Sequence, residues 1–376
     1  MSEALSKGLR NVYLDETEAS YIDGEKGILL YRGYSIHDLA PNCSFEEVAY
    51  LMLYGKLPDS AELEAFDRRL RRQRTLPGPV LETIRIVADS HPMDVLRTGV
   101  SALSAFDPDT ADESADAVLR KSERLTVQVP AIVAAHHRMR HGLEPVAPRD
   151  DLDHAANFMW TLTGEEPPAE ATSAMNLDFI LHCEHGANAS SFAARVTAST
   201  LSDLHSDIVS AVGTLKGPLH GGAAESVMKM ALEIGGPERA GEYVRERQRH
   251  RESRIMGFGH RVYQVEDPRA RHMRERSQAL SQRMGQAKWY EILEAVVQEM
   301  SRYQRHGIHV NVDFYAGSVY YLLGIPEDLF VPIFAVGRVP GWCASVIEQL
   351  QDNVLIRPLL RYEGPRDLQY VPIEQR

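Results

Sequence analysis

Apolar residues recur at helical intervals through most of the chain. Phe45, Val48 and Met52 lie three and four apart behind Ser44, and Glu47 completes the capping-box spacing of a helix start. Asp59 and Glu62 repeat the device ahead of Leu63, Phe66 and Leu70. Ile292, Leu293, Val296, Val297, Met300 and Tyr303 keep the same period, and residues 317–323 form a short apolar run closed by Gly324 and Pro326. Strand signals are few. Residues 127–133 contain Pro130, and only residues 27–31 read as one arm of a short hairpin. The pattern predicts a mainly helical, all-α architecture, with loops at 107–116 and at 164–170, where Pro167 and Pro168 stand together. No internal repeat or low-complexity tract interrupts it.

Composition narrows the function classes. At 376 residues and 44% apolar, the chain is too long for one compact core and short for three, so two domains are expected. A formal net charge of -12 argues against diffuse nucleic-acid binding, which needs a dominant basic face to displace counterions. Anionic ligands must therefore be met locally, and residues 245–276, with ten arginines against five acidic residues, are the best candidate. Taken alone, that stretch reads equally as a solvated helix face laced with ion pairs. Cys43, Cys183 and Cys343 have no paired spacing, which points to neither a disulfide framework nor a zinc knuckle. Neither a membrane span nor an apolar leader is apparent, and a cytoplasmic protein is expected.

Three histidines stand in glycine-flanked or sharply turning segments: His185 before Gly186, His220 between Gly217-Pro218-Leu219 and Gly221-Gly222, and His260 after Gly257-Phe258-Gly259. Glycine lets backbone approach a ligand closely, and imidazole is the side chain best suited to proton chemistry near neutral pH. His182 and His185, three apart on a helix, share a face and raise a zinc reading. The glutamate placement of metalloprotease motifs and a third ligand are missing, so no metal is expected. Gly257-x-Gly259 falls short of a dinucleotide fingerprint because Val262 occupies the third glycine position. Asp313 lies among Val312, Phe314 and Tyr315, a setting that desolvates a carboxylate and raises its basicity; it also suits a helix N-cap. Arg269, Arg338 and Arg357 adjoin proline or glycine and fit either bidentate carboxylate binding or surface ion pairs.

In their order, these segments resemble the citrate synthase family. The resemblance runs from Tyr21-Ile22-Asp23-Gly24 and Arg32-Gly33-Tyr34 to Arg357-Pro358. Its longest motif is Gly257-Phe258-Gly259-His260-Arg261-Val262-Tyr263-Gln264-Val265-Glu266-Asp267-Pro268-Arg269. Leu215-Lys216-Gly217-Pro218-Leu219-His220-Gly221-Gly222, Asn311-Val312-Asp313-Phe314 and Gly337-Arg338 with Gly341-Trp342 support it.

The resemblance implies condensation of acetyl-CoA with oxaloacetate and hydrolysis of the citryl thioester, the entry step of the tricarboxylic acid cycle. It casts Asp313 as the base, His220 as stabiliser of the enolate oxygen and His260 as donor to the ketone oxygen. His185, Arg269, Arg338 and Arg357 would hold oxaloacetate, with Arg357 reaching across from the second subunit of a homodimer. Ile255, Gly257 and Gly259 belong to the loop that wraps the CoA adenine. Acetyl-CoA is then a co-substrate, and no permanently bound cofactor or metal is implied. Gln264, Ala224 and Ser345 depart from the family pattern, with Arg261 or Arg254 as substitutes for a phosphate contact at Gln264. The implied fold has a large helical domain, residues 1–220 and 319–376, and a small helical domain, residues 221–318, that closes over the substrates about Gly221, Gly222 and Gly317 in flanking loops. The shorter chains of the family lack the N-terminal extension linked with NADH-sensitive hexamers. Alternatives are a 2-methylcitrate synthase using propionyl-CoA, a silent CoA- or dicarboxylate-binding homologue, and a zinc hydrolase using His182 and His185.

Overall fold

Both expected capping boxes form. Ser44 Oγ accepts from the Glu47 amide at 3.2 Å while Glu47 Oε2 accepts from the Ser44 amide at 2.7 Å, and Asp59 with Glu62 does the same at 2.8 and 3.0 Å. These contacts come from a computed structural model, which describes residues 5–9, 12–249 and 254–376. Near the N-terminus, β1 (Ser20–Asp23), β2 (Ile28–Tyr31) and β3 (Tyr34–Ser35) make a small antiparallel sheet in that order. Tyr21 pairs with Leu30 and Leu30 with Ser35, so residues 28–31 are the hairpin arm that the pattern predicts.

The rest is helix. α1 (Ile36–Asn42), α2 (Phe45–Tyr54), α3 (Ser60–Arg72), α4 (Gly78–Ile86) and α5 (Pro92–Leu103) lead to the long α6 (Ala115–Met139). α7 (His154–Thr163), α8 (Ala169–His182), α9 (Ala189–Ala198) and α10 (Leu204–Leu215) complete the first group. α11 (Ala223–Ile234), α12 (Ala240–Arg249), α13 (Pro268–Arg283), α14 (Ala287–Met300) and α15 (Asp313–Leu322) pack chiefly on one another, and α16 (Phe330–Gln351) returns to the first group.

α16 is the axis of the core. It packs on α2, α6, α8, α9 and α10 and is buried from Phe330 to Val346. Its apolar window has the mean hydropathy of a membrane span, 1.5, yet 94% of it is buried within the protein. Glycine sets how closely α16 meets α8. A Cβ at Gly341 would lie 2.0 Å from the Cys183 carbonyl oxygen, and one at Gly337 would lie 3.1 Å from the Phe179 Cα. That approach delivers Arg338 to the end of α8, where His182 and His185 sit.

One weak strand signal is resolved as helix, and one expectation needs correction. Residues 127–133 are the interior of α6, not a strand: Val127, Val129, Ile132 and Val133 are buried, and this packing outweighs the helix-breaking cost of Pro130. Gly317 is not in a loop. It lies within α15, where a Cβ would come 2.5 Å from the Ala224 carbonyl oxygen, so its role is the close crossing of α11 and α15.

Candidate active site

A cleft of about 2320 Å³ opens between the first helical group and α11–α15. All ten residues to which the resemblance gives a catalytic or binding role line it: His185, His220, His260, Asp313, Arg269, Arg338, Arg357, Ile255, Gly257 and Gly259. The two stretches bearing His260 and Asp313 are laced together by backbone. The Gly259 amide donates to the His309 carbonyl at 2.8 Å, the Asn311 amide donates to the Gly257 carbonyl at 3.0 Å, and Phe258 and Val310 form an antiparallel bridge. The Asn311 side-chain amide adds a bond to the Gly259 carbonyl at 3.1 Å. Positive φ at Gly257 (77°) and Gly259 (83°) permits this path, and a Cβ on Gly257 would meet the Phe314 ring at 2.5 Å.

Asp313 is the first residue of α15 rather than its N-cap, a position Val312 takes. Burial raises its pKa, while His182, Arg269 and Arg338 pull the other way. A carboxylate so placed is more basic than in water, as proton removal from carbon requires.

His220 stands in the turn ahead of α11. Its Nε2 lies 2.8 Å from Ser190 Oγ and 3.3 Å from the Ser190 amide, which can only donate. Trp342 Nε1 donates to the same Ser190 Oγ at 3.0 Å, and Asn188 Oδ1 accepts from the Ser190 and Ser191 amides at 3.1 and 3.2 Å. This network assigns Nε2 as the acceptor and puts the imidazole proton on Nδ1. Burial, helped by Arg338, pushes the His220 pKa down to about 4, so the ring is a neutral donor at neutral pH.

His260 has the opposite tautomer. Its Nδ1 accepts from the Val262 and Tyr263 amides at 3.0 and 3.1 Å, which leaves the proton on Nε2. Burial first and Arg269 second bring its pKa to about 4. His185 packs edge-on against it, with ring centroids 4.9 Å apart, and its Nε2 is 3.1 Å from Tyr263 Oη. Burial, then Arg269, holds His185 neutral as well.

Two guanidinium groups are deeply buried here. Arg269 forks onto Asp267 at 2.9 Å (Nε) and 2.7 Å (Nη2), and Asp267 in turn accepts from the Val312 amide at 3.3 Å, tying the arginine to the turn before Asp313. Arg338 donates from Nε to the His182 carbonyl and lies over the Phe334 ring at 4.7 Å. Its Nη1 is buried without a hydrogen-bond partner, which is costly unless a ligand supplies one. A carboxylate is the chemical complement of such a guanidinium nitrogen. Arg357 is exposed on the C-terminal segment and reaches the cleft from its rim.

The arginine-rich stretch divides between both of its readings; residues 250–253 lie outside the described part. Arg245, Arg247, Arg271 and Arg274 pair with Glu299, Glu233, Glu275 and Glu294, as a solvated face would. Arg254, Arg261 and Arg269 line the cleft, joined by Arg305 and His306. Of the departures, Gln264 lines the cleft, Ala224 is packed beneath Gly317 and Ser345 is buried in α16.

Sequence reading missed the residues that hold the others. Ser190, Trp342, Asn188, Tyr263 and Asp267 lack motif value alone, although Asp267-Pro268-Arg269 spells a two-residue ion pair. His182 proves structural: its Nδ1 is 3.1 Å from Asp178 Oδ1, and Tyr320 donates to that oxygen at 2.7 Å. Among the described residues, no group of three or more His, Cys, Asp or Glu is arranged to hold a metal ion.

The family model described as "Citrate synthase, C-terminal domain" matches residues 8–359. The citrate synthase of Haloferax volcanii is 45% identical over 384 residues, covering 100% of both chains. The 2-methylcitrate synthase 1 of Corynebacterium glutamicum is 43% identical over 376 residues, covering 98% of each. Among solved structures, citrate synthase from Pyrobaculum aerophilum superposes with a TM-score of 0.95 at 43% identity, over 99% of this chain and 95% of that one. A ternary complex of carboxymethyl coenzyme A and oxaloacetate with citrate synthase from Thermoplasma acidophilum matches with a TM-score of 0.93 at 33% identity, over 99% of this chain and 100% of that one.

Proposed function

The chain belongs to the citrate synthase family, and on that premise we propose how its own residues join an acyl-CoA to oxaloacetate. It is an acyltransferase that forms a carbon–carbon bond, and the observation that supports the residue roles is that backbone amides meet His220 at Nε2 and His260 at Nδ1 in one cleft that also holds a desolvated carboxylate. Asp313 removes a proton from the methyl group of acetyl-CoA. His220, with its proton on Nδ1, donates to the thioester oxygen as charge builds there. His260, with its proton on Nε2, donates to the ketone oxygen of oxaloacetate and makes its carbon electrophilic. A neutral donor of matched strength suits a developing oxyanion, and both rings are kept neutral by burial.

Arg338, through its unpartnered Nη1, and Arg269 bind the carboxylates of oxaloacetate, while His185 packs against His260 and helps orient it. Residues 255–259 receive the CoA adenine, and Arg254, Arg261 and Arg305 at the cleft supply phosphate contacts that Gln264 lacks. Water then cleaves the citryl thioester and releases CoA. The α11–α15 group acts as the closing unit, with Gly221 and Gly222 at the hinge ahead of α11 and the far boundary beyond the end of α15 rather than at residue 318. Arg357 completes the site of a partner subunit in a homodimer. The exposed Leu359, Leu360 and Tyr370 on the same terminal segment support a covered role for it. A cytoplasmic location accords with three free cysteines.

The 2-methylcitrate synthases among the relatives support a second acyl substrate, propionyl-CoA. One methylene discriminates by only about 1–3 kcal/mol in an apolar pocket, so both thioesters are expected to react. Free-thiol release on mixing oxaloacetate with each thioester tests the reading. Acetyl-CoA is expected to give the higher kcat/KM; a higher value for propionyl-CoA reverses the assignment, and no thiol from either removes it.

A further inference from the structure

We propose that His37 and His272 form a divalent transition-metal site that clips α1 to α13. His37 is the second residue of α1, its amide held by Ser35 Oγ at 3.2 Å. His272 sits one turn into α13, in the unit assigned above to cleft closure. His37 Nδ1 and His272 Nε2 face each other at 2.9 Å, with ring centroids 5.1 Å apart and planes tilted by 40°.

Two facing imidazole nitrogens can share only one proton between them. Moving that proton to the other nitrogen of its ring leaves two lone pairs converging on one point, with no change in total protonation. A zinc ion with arms of about 2.0–2.1 Å at a tetrahedral angle spans roughly 3.3 Å between ligand nitrogens, a few tenths more than the pair now shows. His37 is exposed and His272 half-buried, so side-chain rotation can supply the difference and water can fill the remaining positions. With two protein ligands, the site should bind more weakly than a four-ligand structural zinc centre.

Its place in the fold gives it an effect. α13 carries Arg269 three residues before His272, so an ion between His37 and His272 restrains the helix that presents a carboxylate-binding arginine. If the α11–α15 group must move in each turnover, metal at this clip slows it. This consequence rests on the function proposed above; the binding itself does not.

The test titrates the full-length protein with Zn²⁺ against a chromophoric chelator, and repeats the titration on His37→Gln and His272→Gln after checking that the thermal midpoint is unchanged. One zinc per chain is expected for the parent protein, with binding at least tenfold weaker in each variant. Initial-rate thiol release in buffered Zn²⁺ should then show kcat falling severalfold in the parent and unchanged in both variants. Equal zinc affinity in parent and variants overturns the site. Zinc bound through both histidines without an effect on kcat overturns the restraint on α13. A parent protein that releases no thiol at all contradicts the proposed function and leaves the binding titration to decide the site.

Discussion

Three imidazoles in the cleft, His185 buried and His220 and His260 partly buried, are held neutral, and the two with backbone amide donors have their tautomers set by that backbone. Ser190 is the residue on which His220 depends, because its amide and hydroxyl meet Nε2 while Trp342 and Asn188 hold it in place. Ser190→Ala keeps the amide and loses the hydroxyl. It should lower kcat about tenfold, in keeping with a weakened orientation of one proton donor, and leave KM for oxaloacetate within about twofold. Steady-state kinetics with each substrate varied checks both numbers. At this scale the sequence made the cleft-lining groups legible, since histidine, aspartate and arginine in glycine-rich or stiff contexts stand out by their type. It hid Ser190 and Trp342, which are 152 residues apart and meet only after folding. It also hid the difference between His182 and His185: both are buried, and only packing decides that one faces Asp178 and the other the cleft.

Helix crossings set the distance between those residues. α11 follows the His220 turn and α15 begins with Asp313, and the two touch where Gly317 meets the Ala224 carbonyl. Gly317→Ala adds a methyl with 2.5 Å to that oxygen, where backbone must give way. Overpacking of this kind costs about 1–3 kcal/mol, and here it also shifts Asp313 against His220. Chemical denaturation should report that loss, and kcat should fall further than stability alone explains, since the variant remains folded at assay temperature. An unchanged midpoint would show that the crossing is not tight. The capping boxes at Ser44 and Asp59 were readable because a cap is local in sequence. The identity of residues 127–133 was not, because β-branched residues beside a proline favour strand or loop until burial on several sides is known. Gly317 misled for the same reason: a glycine required by a neighbour's carbonyl looks like a glycine required by a hinge.

For the whole molecule, buried ionisable groups predict the pH range of stability. His137, His154, His220 and His260 have folded pKa values of about 4, 3, 4 and 4, pulled down chiefly by burial. An unfolded histidine titrates near about 6.5, so between there and about pH 4 the unfolded chain takes protons that the folded one refuses, and stability falls as pH drops. Asp207 and Glu184 act in the other direction. Burial raises them to about 8 and about 7, so the folded state keeps protons that the unfolded state releases, and their contribution is lost as pH rises through those values. The thermal midpoint should therefore peak at about pH 6–7, and Asp207→Asn should flatten its alkaline side. A midpoint that climbs steadily to pH 8.5 contradicts this.

Subunit exchange tests whether the site is shared. Asp313→Ala and Arg357→Leu should each be nearly inactive. After co-refolding in equal amounts, the proposed homodimer with a shared site should recover about a quarter of parental activity, because half its dimers would be mixed and each would hold one intact site. Activity no greater than the sum of the two variants would put Arg357 in its own chain's site or outside it.

The most direct measurement is oxaloacetate-dependent thiol release from acetyl-CoA by the parent chain and by Asp313→Ala, with both substrates saturating. A parent that turns over and a variant whose kcat is lower by about 10²-fold or more, with oxaloacetate affinity near normal, is the predicted result. Turnover by Asp313→Ala within a few-fold of the parent would contradict the assignment of the base.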